Sequence, residues 1–167
     1  MKVAVFSDTH MNTAKMLEAV RKERPDVMIH LGDLERDTEC LRQEFPSIPL
    51  YNVCGNCDFS RTAPEKAVIP LGPVKAFITH GHLYNVDWNT DSLVYAAMEE
   101  GCSIAMFGHT HQAVNGELGS VKLLNPGTAG KGLKLTYAMV DIFELYRFCI
   151  SLISQAMPPF SKISTMA

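Results

Sequence analysis

A layered α/β fold, with a mixed sheet or sheets covered by helices, is what this sequence predicts, on three observations. The chain opens with a strand–helix–strand unit. Strands then alternate with helices, and towards the end strands follow one another directly. The 167 residues are 47% hydrophobic and 20% charged, the balance of an ordinary globular domain, and a chain of that size buries roughly 70% of its unfolded surface. With no internal repeat and no second domain in view, residues 1–167 read as one domain.

Residues 2–7 (KVAVFS) are short, apolar and β-branched, as in a buried strand. Asn12 or Thr13 can cap a helix over Ala14–Glu23, with Met16, Leu17 and Val20 on one face and Pro25 as its stop. Asp26–Leu31 is a second apolar strand, and the helical crossover makes it parallel to the first. Glu39–Phe45 forms a short helix ended by Pro46, and Leu50–Cys54 a third strand. Residues 59–67 (FSRTAPEKA) show no periodicity and read as a loop. Val74–Thr79 is a fourth strand. Thr90 or Asp91 caps a helix to about Glu100, striped by Leu93, Val94, Ala97 and Met98, and Gly101 suits the residue just past its end. Ser103–Phe107 is a fifth strand, followed by hairpin-like strands at 113–118 and 121–124 and another near 133–142. The tail, residues 142–167, carries only three charges (Glu144, Arg147 and Lys162) and a Pro158-Pro159 break. It reads as an atypical apolar segment that packs on a neighbouring copy of the chain or forms a different last element.

A net charge of −3 with no basic run argues against nucleic acid as a partner. Composition excludes collagen, coiled-coil and low-complexity classes. The N-terminus MKVAVFSDTH lacks the features of a signal peptide, and no apolar run is long enough to span a bilayer. The five cysteines, an odd number, read as free thiols. No membrane is expected as partner, and the expected location is cytoplasmic.

The chemistry sits just past the strands. Asp8-Thr9-His10 follows the first, Gly32-Asp33 the second and Gly55-Asn56-Cys57-Asp58 the third; His80-Gly81-His82 follows the fourth and Gly108-His109-Thr110-His111 the fifth. In open α/β folds ligands bind at the carboxyl edge of the strands, so these scattered clusters converge. Asp8 and His10 are spaced i, i+2, as are His109 and His111, which puts both side chains of each pair on one side if the segment is extended. Asp8, His10, Asp33, Asn56, His80, His109 and His111 are oxygen and nitrogen donors suited to manganese, iron or zinc. Seven donors exceed one ion and fit a pair roughly 3.5–4 Å apart, the arrangement that hydrolyses phosphate esters.

In these blocks the sequence resembles the calcineurin-like metallophosphoesterase superfamily, whose pattern is D-x-H, G-D, G-N-H-[DE], H and G-H-x-H. All five blocks occur in order between residues 8 and 111. The small size and the forms S-D-T-H, G-N-C-D and N-P-G-T look like the compact YfcE-type phosphodiesterases, and Vps29 is similar in fold. The resemblance implies a two-sheet α/β sandwich with helices on the outer faces. It implies that Asp8, His10 and His111 hold one divalent ion, that Asn56, His80 and His109 hold the other, and that Asp33 bridges them. Manganese is the first expectation, with iron, zinc or nickel as alternatives. The implied activity is hydrolysis of phosphodiester bonds in a small phosphoester by water activated between the ions. The alternatives are a phosphomonoesterase and a Vps29-like protein-binding scaffold that keeps its metal site. Cys57 stands where the family has a histidine that protonates the leaving group. Asp58 or His82 replaces it, or a good leaving group needs no donor, with Asn56 steadying charge on the phosphate; this departure tilts the reading slightly towards diesters.

Several residues carry a plainer reading. Cys54-x-x-Cys57 has no second pair and reads as a strand end and a loop. His30 lies in an apolar strand and reads as a hydrogen-bonded core residue, while His82 is balanced between site and structure. Asn125-Pro126-Gly127-Thr128 edges the pocket or is a simple turn. Arg61 and Lys66 are solvated loop charges or phosphate contacts, and the loops around 34–40, 58–66 and 83–90 set specificity. Association of the chain with itself, as a homo-oligomer through the tail, is one option for a protein partner, beside the scaffold alternative.

Overall fold

A computed structural model of the protein describes residues 1–59, 62–143 and 148–156. Ten strands and three α-helices follow in chain order: β1 (Lys2–Phe6), α1 (Ala14–Glu23), β2 (Val27–His30), α2 (Thr38–Glu44), β3 (Leu50–Asn52), β4 (Lys66–Leu71) and β5 (Val74–Thr79). Then come α3 (Asp91–Glu99), β6 (Ile104–Met106), β7 (Ala113–Leu118), β8 (Val121–Pro126), β9 (Lys134–Ile142) and β10 (Phe148–Ala156). One sheet has the order β10-β9-β1-β2-β3 and the other β4-β5-β6-β8-β7. β1, β2 and β3 are parallel, as the strand–helix–strand opening predicts, and β5, β6 and β8 are parallel in the second sheet. Antiparallel strands flank both triplets.

Strand alternation builds the layers. Val3, Val5, Ile29 and Leu31 face Ile69, Leu71, Ile78, Ile104 and Leu124 across the interior of the sandwich. Ala4 and Phe6 point the other way and pack on Met16 and Val20 of α1 and Leu41 of α2. On the opposite outer face Phe77, Ala105 and Phe107 meet Leu93, Val94 and Ala97 of α3. The central strands are buried on both faces, which is why they read as unbroken apolar runs. The fold is thus the two-sheet α/β sandwich with helices on its outer faces. Among the described residues no helix is long and apolar enough to cross a membrane.

Two sequence expectations fail. Residues 66 and 67 are not loop; they begin β4, which pairs antiparallel with all of β5. Pro70 hides this strand from a propensity reading, and it is tolerated because β4 is an edge. The tail is also less atypical than expected. Residues 148–156 form β10, paired in full register with β9 from Phe148↔Ile142 to Ala156↔Lys134. Phe148 and Ile150 turn to the sandwich interior and Ile153 to the α1 side, so the period of two is present without the charges that usually reveal it. Residues 157–167 lie outside the described part.

Candidate metal centre

The strands β1, β2, β5 and β6 end side by side, and the chain turns sharply after each. Asp8, His10, Asp33, His109 and His111 all have φ between +45° and +67°. The extended geometry expected for the two i, i+2 pairs is therefore wrong: each pair lies on left-handed turns. Such backbone costs energy for any residue but glycine, least for aspartate, asparagine and histidine, and it concentrates at functional sites. Two glycines allow the turns to nest. A Cβ on Gly55 would collide with the Asp33 carboxylate, and one on Gly108 with the Ser7 hydroxyl.

The floor of the site is buried. Asp8 is inaccessible; its Oδ2 accepts the His109 N–H at 3.2 Å, while Oδ1 makes no hydrogen bond and lies 3.2 Å from His111 Nε2. Asp33 Oδ1 accepts the Cys57 N–H at 2.9 Å and lies 3.4 Å from His80 Nε2, with Oδ2 3.8 Å from His10 Nε2. Burial works against the charge on Asp33, but hydrogen bonds and charge from His80 and the Cys57 amide hold its carboxyl well below the usual range. His80 is also inaccessible. Its Nδ1 lies 2.7 Å from the Leu31 carbonyl, so Nδ1 carries a proton and Nε2 faces Asp33 and, at 3.0 Å, Asn56 Oδ1. Burial alone would lower its pKa, yet the Asp33 and Asp8 carboxylates raise it. That environment attracts positive charge at Nε2.

The rim is more open. His10 Nε2 and His111 Nε2 approach to 3.3 Å. Desolvation first, and His111 and Lys131 further, outweigh the nearby carboxylates and lower the pKa of His10, which favours the neutral imidazole. Three donor sets result, each with ligand atoms within 4.8 Å of one another: Asp8–His10–His111, His10–Asp33–Cys57 and Asp8–Asp33–His80. They overlap through Asp8, His10 and Asp33. Asn56 adds an amide oxygen beside His80. His109 belongs to none of the three sets. Its Nε2 is 2.8 Å from Asp87 Oδ2; a carboxylate only accepts, so Nε2 is protonated and Nδ1 is left as the lone-pair nitrogen.

Asp58 has its two oxygens engaged, accepting the Glu35 N–H and the Gly55 N–H at 2.7 Å each. It anchors the loop through both oxygens. Burial first, then the Asp33, Asp58 and Asp8 carboxylates, push the Cys57 thiol up to about 11. The His82 ring stands 5.5 Å from that of His80 and 6.1 Å from that of His109, on the His80 side of the site. His30 is the core residue expected: its ring bonds the Thr9 hydroxyl at 3.1 Å and the Gly32 N–H at 3.3 Å. Lys66 sits over the Phe77 ring. Arg61 lies outside the described residues. None of the five cysteines is in a disulfide.

Other residues that shape the site gave little sequence signal. Asp37 Oδ2 accepts the Met11 N–H at 2.7 Å, and the Glu35 carboxylate accepts the amides of Thr62 and Ala63 at 2.9 Å. Asn125 is more than a turn residue: its Nδ2 donates to the Gly108 carbonyl at 2.7 Å, and Thr128 Oγ1 donates to the Asp8 carbonyl at 2.9 Å. The N-P-G-T segment therefore braces both histidine-bearing turns.

Fold and donor geometry together define a metallophosphoesterase, and the chain belongs to the calcineurin-like phosphoesterase superfamily, whose domain model matches residues 1–144. A Bacillus subtilis (strain 168) relative named probable metallophosphoesterase YsnB is 33% identical over 132 residues, 77% of this chain and 75% of its own. The Methanocaldococcus jannaschii protein named phosphodiesterase MJ0936 is 27% identical over 145 residues, 76% of this chain and 83% of its own. The crystal structure of a predicted phosphoesterase from Streptococcus pneumoniae TIGR4 superposes with a TM-score of 0.75 at 29% identity, covering 94% of this chain and 92% of that one.

Proposed function

We propose that the protein is a metal-dependent phosphodiesterase that hydrolyses a small phosphoester with a pair of divalent ions. The observation that carries this reading is the overlap of the donor sets on Asp8, His10 and Asp33, around a buried Asp8 oxygen without a hydrogen bond. Such an oxygen is costly unless a cation meets it. Asp8, His10 and His111 hold one ion and Asn56, His80 and His109 the other, with Asp33 between them. The donors are oxygen and neutral nitrogen, which suits manganese and also admits iron, zinc or nickel. When bound, the ion pair supplies Lewis-acid activation of water and of the phosphoryl group.

The chain's own residues orient these groups. The Leu31 carbonyl fixes the His80 proton on Nδ1 and turns Nε2 inward. Asp87 does the same for His109, holding the proton on Nε2. Asn56 offers its amide N–H to charge developing on a phosphate oxygen. With both Asp58 oxygens committed, His82 is the better candidate to hold a proton for the leaving group. Cys57 stands where the family has the histidine assigned to the leaving group. This favours diesters whose leaving group needs little protonation, in keeping with the name of the Methanocaldococcus relative. Five thiols without a disulfide suit a reducing cytoplasm.

The test is chelation followed by manganese, with bis(p-nitrophenyl) phosphate and p-nitrophenyl phosphate as substrates. Diester hydrolysis lost with chelator and restored by the metal, faster than monoester hydrolysis, is expected. Activity that survives complete chelation contradicts the reading. Faster monoester turnover would make the protein a phosphomonoesterase, and metal uptake without hydrolysis of either ester would make it a scaffold.

A further inference from the structure

Beside the metal donors lies a cleft of about 650 Å³, the size of a small-molecule site. Its position ties it to the chemistry. Cys57 belongs both to the cleft wall and to the donor set with His10 and Asp33, and Met11, the residue after His10, forms part of the lip. The walls are fixed from behind. Glu35 and Asp58, both in the lining, spend their carboxylates on backbone amides of the loops that frame the cleft.

The remaining charges are unequal. Glu39 lies 3.5 Å from Arg42 Nε, and Arg42 Nη2 donates to Asn52 Oδ1 at 2.7 Å. Among the described residues, Arg36 is the one charged side chain of the lining that makes no hydrogen bond or ion pair. It is exposed to the cleft's solvent. Phe59 is fully exposed and Met11 is 70% exposed, so two large apolar groups stand at the same opening. An uncommitted guanidinium and an open aromatic ring next to a phosphate-hydrolysing centre match a ligand with two features. One is an anion that takes the planar fork of donors, and the other is a flat ring that covers Phe59.

We infer that the cleft receives the ester arm of the substrate, and that this arm carries a planar ring and a second anionic group, as a nucleotide does. This rests on the phosphodiesterase reading of the adjoining centre. A diester with a small neutral arm leaves both Arg36 and Phe59 unused. A nucleotide arm places its second phosphate on Arg36 and its base on Phe59 while the scissile phosphate sits at the donors.

Three diesters that share the p-nitrophenol leaving group test this with the manganese-loaded full chain. Their retained arms are methyl, thymidine, and thymidine bearing a 3′-phosphate. The expected kcat/KM rises in that order, by about tenfold for the second anion, the worth of one charge-assisted contact. Arg36→Ala should remove the gain from the 3′-phosphate, and Phe59→Ala the gain from the ring, each leaving the methyl ester unchanged. Equal kcat/KM for all three arms, or gains that survive both substitutions, would overturn the inference. If none of the esters is hydrolysed, the phosphodiesterase reading fails by itself, and binding of thymidine 3′,5′-bisphosphate by calorimetry decides the cleft. Binding weakened by Arg36→Ala upholds the cleft, and absence of binding overturns it.

Discussion

The floor and the rim of the metal centre are built by different means. On the floor, Asp8, Asp33 and His80 are held by main-chain groups: the His109 and Cys57 amides and the Leu31 carbonyl. On the rim, His109 is oriented by one side chain, Asp87, whose own exposure is 54%. Main-chain partners come with the sandwich itself and cannot drift without moving a strand end. A single exposed carboxylate can be lost with no cost to the fold. The floor is therefore a property of the architecture, and the rim at His109 is where metal affinity can be tuned.

The largest break should come from the floor. Asp33→Ala removes the carboxylate shared by two of the donor sets and should lower diester hydrolysis by at least roughly 10²–10³-fold, with metal content falling in elemental analysis. Hydrolysis undiminished in that variant would deny Asp33 its bridging role. Next comes Gly55→Ala. The added methyl meets the Asp33 carboxylate, so a loss of about 1–3 kcal/mol in denaturant unfolding is expected, together with weaker manganese binding. A rim change is smaller and more selective. Asp87→Ala frees the His109 ring and should weaken the second ion by about 10–100-fold while the first stays in place, and Asp87→Asn should lose less. Calorimetric titration with manganese separates the two steps; equal weakening of both would dissolve the distinction between floor and rim.

A pH effect sharpens the same contrast from outside the donor set. Burial lowers the His30 pKa from 6.5 to about 4, with Asp8, Asp37 and Asp58 opposing. The unfolded chain therefore takes up this proton first. Stability from the neutral ring is complete above pH 6.5 and declines as pH falls from there to about 4, by at most about 3 kcal/mol. Unfolding of the chelator-treated protein across that window should show a shallower slope for His30→Gln than for the parent chain. Identical slopes would mean that His30 is not held neutral.

The donors were legible because their types, order and strand-end positions are all sequence properties. Asp8, Asp33 and His80 could be named from five short blocks, and the structure brings them together. What escaped was everything set by tertiary closure. Left-handed turns at His10 and His111 cannot be told from extended segments by spacing alone. The tethers of Glu35, Asp37 and Asp58 look like ordinary loop acids until the amides they hold are seen. Asp87 lies 22 residues before His109 and has no motif to announce it. Among the strands, β4 was masked by Pro70 and β10 by the scarcity of charge in its alternation. Each failure concerns an edge or a loop, where local propensity is weakest and long-range partners decide.

In the proposed centre, separated donors enclose two cations with Asp33 between them. Anomalous scattering at the manganese edge, from crystals grown with excess manganese, tests it most directly. Two peaks per chain, one beside Asp8, His10 and His111 and one beside Asn56, His80 and His109, both in contact with the Asp33 carboxylate, are the predicted result. A single peak, or none, in a crystal whose protein is intact would contradict it.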